Sequence, residues 1–120
     1  MVILEQIIFG INNMKKENKK RMSKEEFFKN IEKTFETCLD ISKKKNNDYS
    51  KGESPFKNFE LSEFMGVKPA RGILVRITDK LSRISNLLEG EYKVKDERIE
   101  DTINDAINYL AILKAYLSDK

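Results

Sequence analysis

The 120-residue chain has no histidine, no tryptophan and one cysteine, and these absences exclude several kinds of chemistry. Without histidine, neither a Ser-His nor a Cys-His nucleophile pair can form, and no zinc site can use a histidine ligand. A single cysteine, Cys38, cannot form a disulfide within the chain, so we expect a reducing, cytoplasmic location. Unpaired cysteine is usually buried, and we expect Cys38 to be a core residue.

Long apolar runs are also missing. The apolar stretch at residues 2–9 is interrupted by Glu5, is too short to span a bilayer and has no basic flank before it, so neither a membrane span nor a signal peptide is expected. The formal net charge is only +3, which is weak support for a nucleic-acid partner. We therefore expect no membrane association and no nucleic acid as the main partner.

What the chain does have is helical periodicity. Residues 1–22 are interpreted as an apolar stub followed by a basic linker, and residues 23–120 as the folded domain. Ser23 followed by Glu26 is a capping box, and apolar residues at helical spacing continue to about Lys45. Residues 46–69 form a long connection, in which Ser54-Pro55 begins a short helix that Gly66 ends. A connection of this length in a small domain is usually functional.

Two further helices complete the prediction of an all-α fold with three long helices and one short helix. One runs from about Ala70 to Leu88, before Gly90, and its expected core residues are Ile73, Ile77, Leu81, Ile84 and Leu88. The other follows Asp96 and reaches about Leu117, with Ile99, Ile103, Ala106, Leu110, Leu113 and Leu117 as its expected core. Its opposite side is also apolar at Ile112, Ala115 and Tyr116. A helix with two apolar sides is buried on both, which predicts a homo-oligomer.

Three cations follow one another on the first of these two helices. Arg76, Lys80 and Arg83 are spaced so that they share one side of the helix and can hold phosphate groups. The alternative is a structural network in which they pair with acidic residues, with Asp79 as a local partner. The two interpretations are compatible, because a bound phosphate can replace a direct ion pair.

Three acids follow one another on the last helix. Glu97, Asp101 and Asp105 lie one turn apart, and carboxylates that converge in this way suit a hard cation such as Mg²⁺. Asp79 is a weaker fourth candidate for metal binding. The alternative is helix capping by Asp96 together with dipole stabilisation and ion pairs. That alternative does not explain Asp105, which lies more than two turns into the helix.

The long connection carries aromatic and polar side chains suited to a nucleotide. Tyr49 is the favoured residue for stacking on a base, and Lys51, Lys57 and Asn58 are within reach of phosphate or sugar. Phe56 and Phe59 are interpreted either as stacking residues or as the core of the short helix. The sequence leaves both choices open.

Taken in order, these residues resemble a known family. Its pattern is carried here by Asp48-Tyr49, Phe56 with Asn58, Arg76-x-x-Asp79-Lys80-x-x-Arg83, and a final helix with Glu97, Asp101, Thr102, Asp105 and Tyr109. The pattern, over about residues 35–117, is similar to that of the phage and bacterial nucleotide modification associated domain family. That family resembles the helical bundle of MazG-type nucleotide pyrophosphatases. MazG-type enzymes bind Mg²⁺ through acid pairs on two helices, and only the second pair has a clear counterpart here.

The resemblance implies a protein that binds a small nucleotide or nucleotide-like phosphate in a bacterium or a phage-infected host. The expected ligand residues are Arg76, Lys80, Arg83, Tyr49, Lys51 and Asn58. In a phage, such a protein would serve nucleotide metabolism or would sequester a nucleotide signal of host immunity. A second hypothesis is a Mg²⁺-dependent nucleotide pyrophosphohydrolase. A third is a module that interacts with protein or nucleic acid.

Overall fold

The computed structural model describes residues 3–9, 21–50, 54–90 and 98–119, and these residues contain helices and no strand. In chain order the elements are α1 (residues 3–9), α2 (Lys24–Ser50), α3 (Lys57–Glu60), a 3-10 helix (Leu61–Met65), α4 (Pro69–Leu88) and α5 (Ile99–Ser118). The prediction of an all-α chain with three long helices is confirmed. The MazG-like arrangement and the oligomeric state remain predictions.

The chain divides into two compact units, Met1–Lys33 and Thr34–Lys120. In the first unit, the Ser23 hydroxyl accepts the Glu26 backbone amide at 3.2 Å, which is the cap expected at the start of α2. Residues 10–20, which make up most of the predicted linker, lie outside the described residues, so the domain boundary after residue 22 remains a prediction. No helix in the described part of the chain is long and apolar enough to cross a bilayer.

Local sequence signals mark three helix boundaries in the second unit. Gly66 follows the 3-10 helix with φ 76°, and Gly90 follows α4 with φ 78°, a left-handed conformation that glycine adopts without a steric cost. Pro69 is the first residue of α4, where its missing amide hydrogen costs nothing. By contrast, α2 continues five residues past its expected end at Lys45, because Asn and Asp cost only about 0.5 kcal/mol each in a helix.

The second unit has a small core built where α4 and α5 pack together and α2 contacts α5. Its most deeply buried side chains are Cys38, Ile73, Ile77, Leu87, Thr102 and Ala106. The burial of Cys38 confirms the prediction that it is a core residue.

Two of the expected core faces are partly wrong. On α4, Leu87 is buried, whereas Leu81 and Leu88 are exposed. On α5, Ile103, Leu110 and Leu117 are exposed, whereas Thr102 and Ala106 are buried. Neighbouring apolar residues such as Leu87 and Leu88 point about 100° apart on a helix, so either register satisfies the helical period. Tertiary packing chose the register that periodicity left open.

Candidate functional site

A cavity of about 670 Å³ opens in the second unit, between the last turns of α2, the connection around α3 and one side of α5. Its volume is in the range of about 300–1,000 Å³ that small-molecule sites occupy. The lining residues are Ser42, Lys43, Lys45, Asn46 and Asn47 from α2, Pro55, Phe56, Asn58 and Phe59 from the connection, and Asp105, Asn108, Tyr109, Ala111, Ile112 and Ala115 from α5.

The cavity lining includes a carboxylate that is held between two lysines. Lys45 Nζ on α2 lies 3.3 Å from Asp105 Oδ1 on α5, and Lys80 Nζ on α4 lies 3.1 Å from Asp105 Oδ2. The side chain of Lys80 is 22% exposed and that of Asp105 is 24% exposed. Three helices thus meet at this ion-pair cluster, which carries two positive charges against one negative charge.

The two lysines also set the protonation of the carboxylate. Burial by itself would raise the pKa of Asp105, but hydrogen bonds from Lys80 and Lys45 and their positive charges outweigh it and lower the pKa below its usual value. Asp105 is therefore ionised at neutral pH. Nearby, the Cys38 thiol lies 3.6 Å from the Asn104 side-chain oxygen, and burial and the charge of Asp105 raise its pKa. Cys38 therefore stays protonated at neutral pH.

The cavity lining also includes aromatic side chains. Phe56 packs edge to face on Tyr116 with ring centroids 5.3 Å apart, and Phe59 packs in the same way on Tyr109 at 6.4 Å. These two contacts attach the connection to α5. Phe56, Phe59 and Tyr109 are half-buried and line the cavity, so they contribute to packing and also present ring surface to the cavity.

Four asparagines line the cavity: Asn46, Asn47, Asn58 and Asn108. The Asn46 amide donates to the Pro55 carbonyl oxygen at 3.1 Å and so holds the end of α2 against the connection. The side chains of Asn58 and Asn108 have no hydrogen-bond partner among the described residues. Asn58 and Asn108 therefore retain donors and acceptors for a ligand.

The residues predicted to bind a ligand have different positions. Asn58 lines the cavity, and Lys80 reaches its edge through Asp105. Arg76 and Arg83 are exposed on α4 and do not line the cavity, although each lies about one turn from Lys80. The side chain of Tyr49, and all of Lys51, lie outside the described residues.

The residues predicted to bind a metal are only partly described. Helix α5 begins at Ile99 with Arg98 at its N-cap, so the expected cap at Asp96 is wrong, and Asp96 and Glu97 lie outside the described residues. Asp101 and Asp79 are exposed, and Asp105 is held by two lysines. Among the described residues, no group of three or more Cys, Asp or Glu side chains is placed to hold a metal ion. The described acids alone do not fit a Mg²⁺ centre, and magnesium binding remains a prediction.

Lys45 and Asn108 were not among the predicted ligand residues. Lys45 is part of the run Lys43-Lys44-Lys45, which is typical of a solvated helix end. A signal was nevertheless present, because Lys45 lies seven residues, or two turns, after Cys38 and shares its side of α2. Asn108 follows Asp101 and Asp105 on the acidic side of the last helix. An asparagine among acidic residues does not by itself indicate a ligand contact.

Comparison with known proteins identifies no relative, because no protein family, no curated protein and no solved structure matches the chain. The resemblance to nucleotide modification associated domains therefore rests on the quoted residues alone.

Proposed function

We propose that the cavity of the second unit binds a small nucleotide or nucleotide-like phosphate. One observation supports this most strongly: aromatic rings, free amides and lysines line a single cavity of about 670 Å³. Each group suits one part of a nucleotide. Rings stack on a base, amides hydrogen-bond its edge, and lysines attract phosphate.

The ion-pair cluster is a suitable place for the phosphate. Lys45 and Lys80 carry one more positive charge than Asp105 neutralises, and Lys43 adds another at the cavity wall. A phosphate that approaches Lys45 competes with Asp105 and leaves Lys80 to neutralise the carboxylate. Arg76 and Arg83, about one turn on either side of Lys80, extend the cationic stripe for a ligand with more than one phosphate.

Binding without turnover is the form of this function that we favour. Phosphoryl hydrolysis needs the developing charge neutralised and a water molecule activated, which several carboxylates around a metal would supply. Among the described acids, Asp105 is engaged by lysines and Asp101 is exposed. In a phage, a protein of this kind would serve nucleotide metabolism or sequester a nucleotide immune signal of the host.

Thermal denaturation in the presence of linear and cyclic nucleotides tests the proposal. A ligand at 100 times its dissociation constant adds about 2.7 kcal/mol, which raises the melting temperature of a domain of this size by several degrees. Asn108→Ala should weaken binding about fivefold, the effect of one neutral hydrogen bond, without lowering the melting temperature of the free protein. Asn86→Ala, on an exposed position of α4, is the matched control.

Two results would contradict the proposal. One is the absence of any shift across the panel, with or without Mg²⁺. The other is an equal loss of affinity in Asn108→Ala and Asn86→Ala. Chromatography after incubation with Mg²⁺ or Mn²⁺ then separates the hypotheses, because intact nucleotide supports a binder, whereas repeated turnover abolished by Asp101→Asn supports the pyrophosphohydrolase.

A further inference from the structure

The side of α4 and α5 away from the cavity carries a regular apolar surface. Leu74, Leu81 and Leu88 on α4 are spaced seven residues apart and are all exposed, and so are Ile103, Leu110 and Leu117 on α5. We call these six residues the outer face. A repeat of seven is the spacing with which one helix meets another in a coiled coil or a four-helix bundle.

The two rows of the outer face lie on the same side of the helix pair. In the sequence, each residue of the outer face directly follows a residue that faces inward. On both helices, the exposed residues are therefore rotated by about 100° around the helix axis, in the same direction, from the side that packs inward. The ten residues 89–98 join two 20-residue helices that pack together. A parallel pair would require them to span about 30 Å, close to their full extension. The Lys80–Asp105 ion pair joins the second half of α4 to the first half of α5, as an antiparallel pair requires. When two helices are antiparallel, the same rotation from their shared contact brings both sets of exposed residues to the same side of the helix pair.

The positions between these residues are nearly free of charge. On α4 they are Thr78 and Ser85, and the Thr78 hydroxyl already donates to the Leu74 carbonyl oxygen at 3.0 Å. On α5 they are Ile107 and Lys114. Lys114 is thus the one charge within the two rows, and its stem can pack while its ammonium group reaches the rim.

We propose that the outer face is the contact between two copies of this chain, in which α4 and α5 of each copy form a four-helix bundle. Its six side chains are 37% to 71% exposed, and contiguous apolar patches of more than a few hundred Å² on a soluble protein usually mark an interaction site. The near absence of charge gives a strongly charged partner nothing to pair with. Two rows with the same heptad spacing fit their own copy about a two-fold axis.

The proposed interface differs from the one expected on the sequence. That expectation rested on Ile112, Ala115 and Tyr116, but Ile112 and Ala115 line the cavity and Tyr116 packs on Phe56 of the same chain. The second apolar side of α5 therefore has an intramolecular explanation. The outer face has none among the described residues, where its side chains are exposed.

Sedimentation velocity of the full chain at micromolar concentration tests the proposal. The wild type should sediment with twice the chain mass of 14.0 kDa. Leu81→Lys and, separately, Leu110→Lys should raise the dissociation constant at least about 100-fold, because the substitution occurs twice in a symmetric dimer. Val75→Lys is the matched control, since Val75 is 58% exposed on α4 and Leu81 is 57% exposed.

The outcomes are distinct. A wild-type monomer overturns the proposal, as does an oligomer that survives both lysine variants or is dissociated equally by Val75→Lys. Far-UV circular dichroism checks that the variants fold. Should either lysine variant unfold, Leu81→Ala and Leu110→Ala replace them, with a smaller rise in the dissociation constant expected. An unchanged dissociation constant in both alanine variants also overturns the proposal.

Discussion

The two sides of α5 differ in a way opposite to what hydrophobicity predicts. The side that carries Asp105 and Asn108 lines a cavity and contacts α2, whereas the side that carries Leu110 and Leu117 is exposed. Asp105 can face inward here because two lysines neutralise it, whereas Asn108 faces the cavity with its amide free for a ligand. Apolar residues can face outward when another chain covers them. The position of a side chain thus depends on its partners as well as on its polarity.

The largest expected effect contrasts one core residue with one residue of the outer face. Ile73 is fully buried, so Ile73→Ala should lower the free energy of unfolding by about 2–5 kcal/mol at any protein concentration. Leu81→Ala should cost less, and its cost should grow at concentrations where the wild type is dimeric. Urea denaturation at two protein concentrations measures both. If both variants lose the same free energy of unfolding at both protein concentrations, the distinction between the core and the outer face is wrong.

The next effect concerns the ion-pair cluster on the cavity side. Asp105→Asn should lower the free energy of unfolding at pH 7 by about 1–2 kcal/mol, because it leaves the half-buried Lys80 without its carboxylate. Asp101→Asn, at an exposed position in the first turn, should cost less than about 1 kcal/mol. Chemical denaturation of the two variants compares them directly.

The same pair of variants should differ in their dependence on pH. The pKa of Asp105 is lower in the folded protein than in the unfolded chain, so the cluster contributes fully above the unfolded value of about 3.9. That contribution is lost as the pH falls from there through the lower, folded pKa. Between pH 5 and 2, stability should therefore fall more steeply in the wild type and in Asp101→Asn than in Asp105→Asn. Parallel curves would show that the cluster contributes no stability.

A smaller effect is expected on ligand affinity. Lys45→Ala should weaken nucleotide binding about fivefold, a discounted value for a lysine that is 54% exposed. Lys44→Ala removes the same charge from the neighbouring position, which does not line the cavity, and should change affinity less than twofold. Isothermal titration with a nucleotide that shifts the melting temperature measures both. If the two variants weaken binding equally, the ligand is attracted by the overall positive charge of this helix end and not by a specific contact in the cavity.

The smallest effect compares two threonines. Thr102 is buried on α5, and Thr102→Ala, which removes a hydroxyl and a methyl group, should cost about 1 kcal/mol, mainly through the loss of the buried methyl group. Thr78 is exposed and its hydroxyl bonds to its own helix, so Thr78→Ala should change stability by less than about 0.5 kcal/mol. Thermal denaturation of the two variants distinguishes them. A larger loss for Thr78→Ala would mean that the outer face is packed more specifically than we infer.

Local signals predicted the helices better than they predicted the cavity. Ser23, Gly66 and Gly90 act on backbone groups within about one turn, and each marks a helix boundary where it was expected. Asn58 and Lys80 were recognised as ligand candidates from side-chain type and spacing. Lys45 was missed because its importance comes from Asp105, 60 residues away, and no local pattern links the two.

The sequence by itself determined that this chain is helical and where most of its helices begin and end. It also placed the three cations on α4, and Asp101 and Asp105 on α5, because helical spacing alone decides which residues of one helix share a side. Only the tertiary structure decided which side of each helix faces inward. It turned Asp105 inward between lysines of two other helices and left Leu81 and Leu110 outside. The physical reason is that burial depends on contacts between distant segments, and several registers of a two-sided helix satisfy the same hydrophobic period.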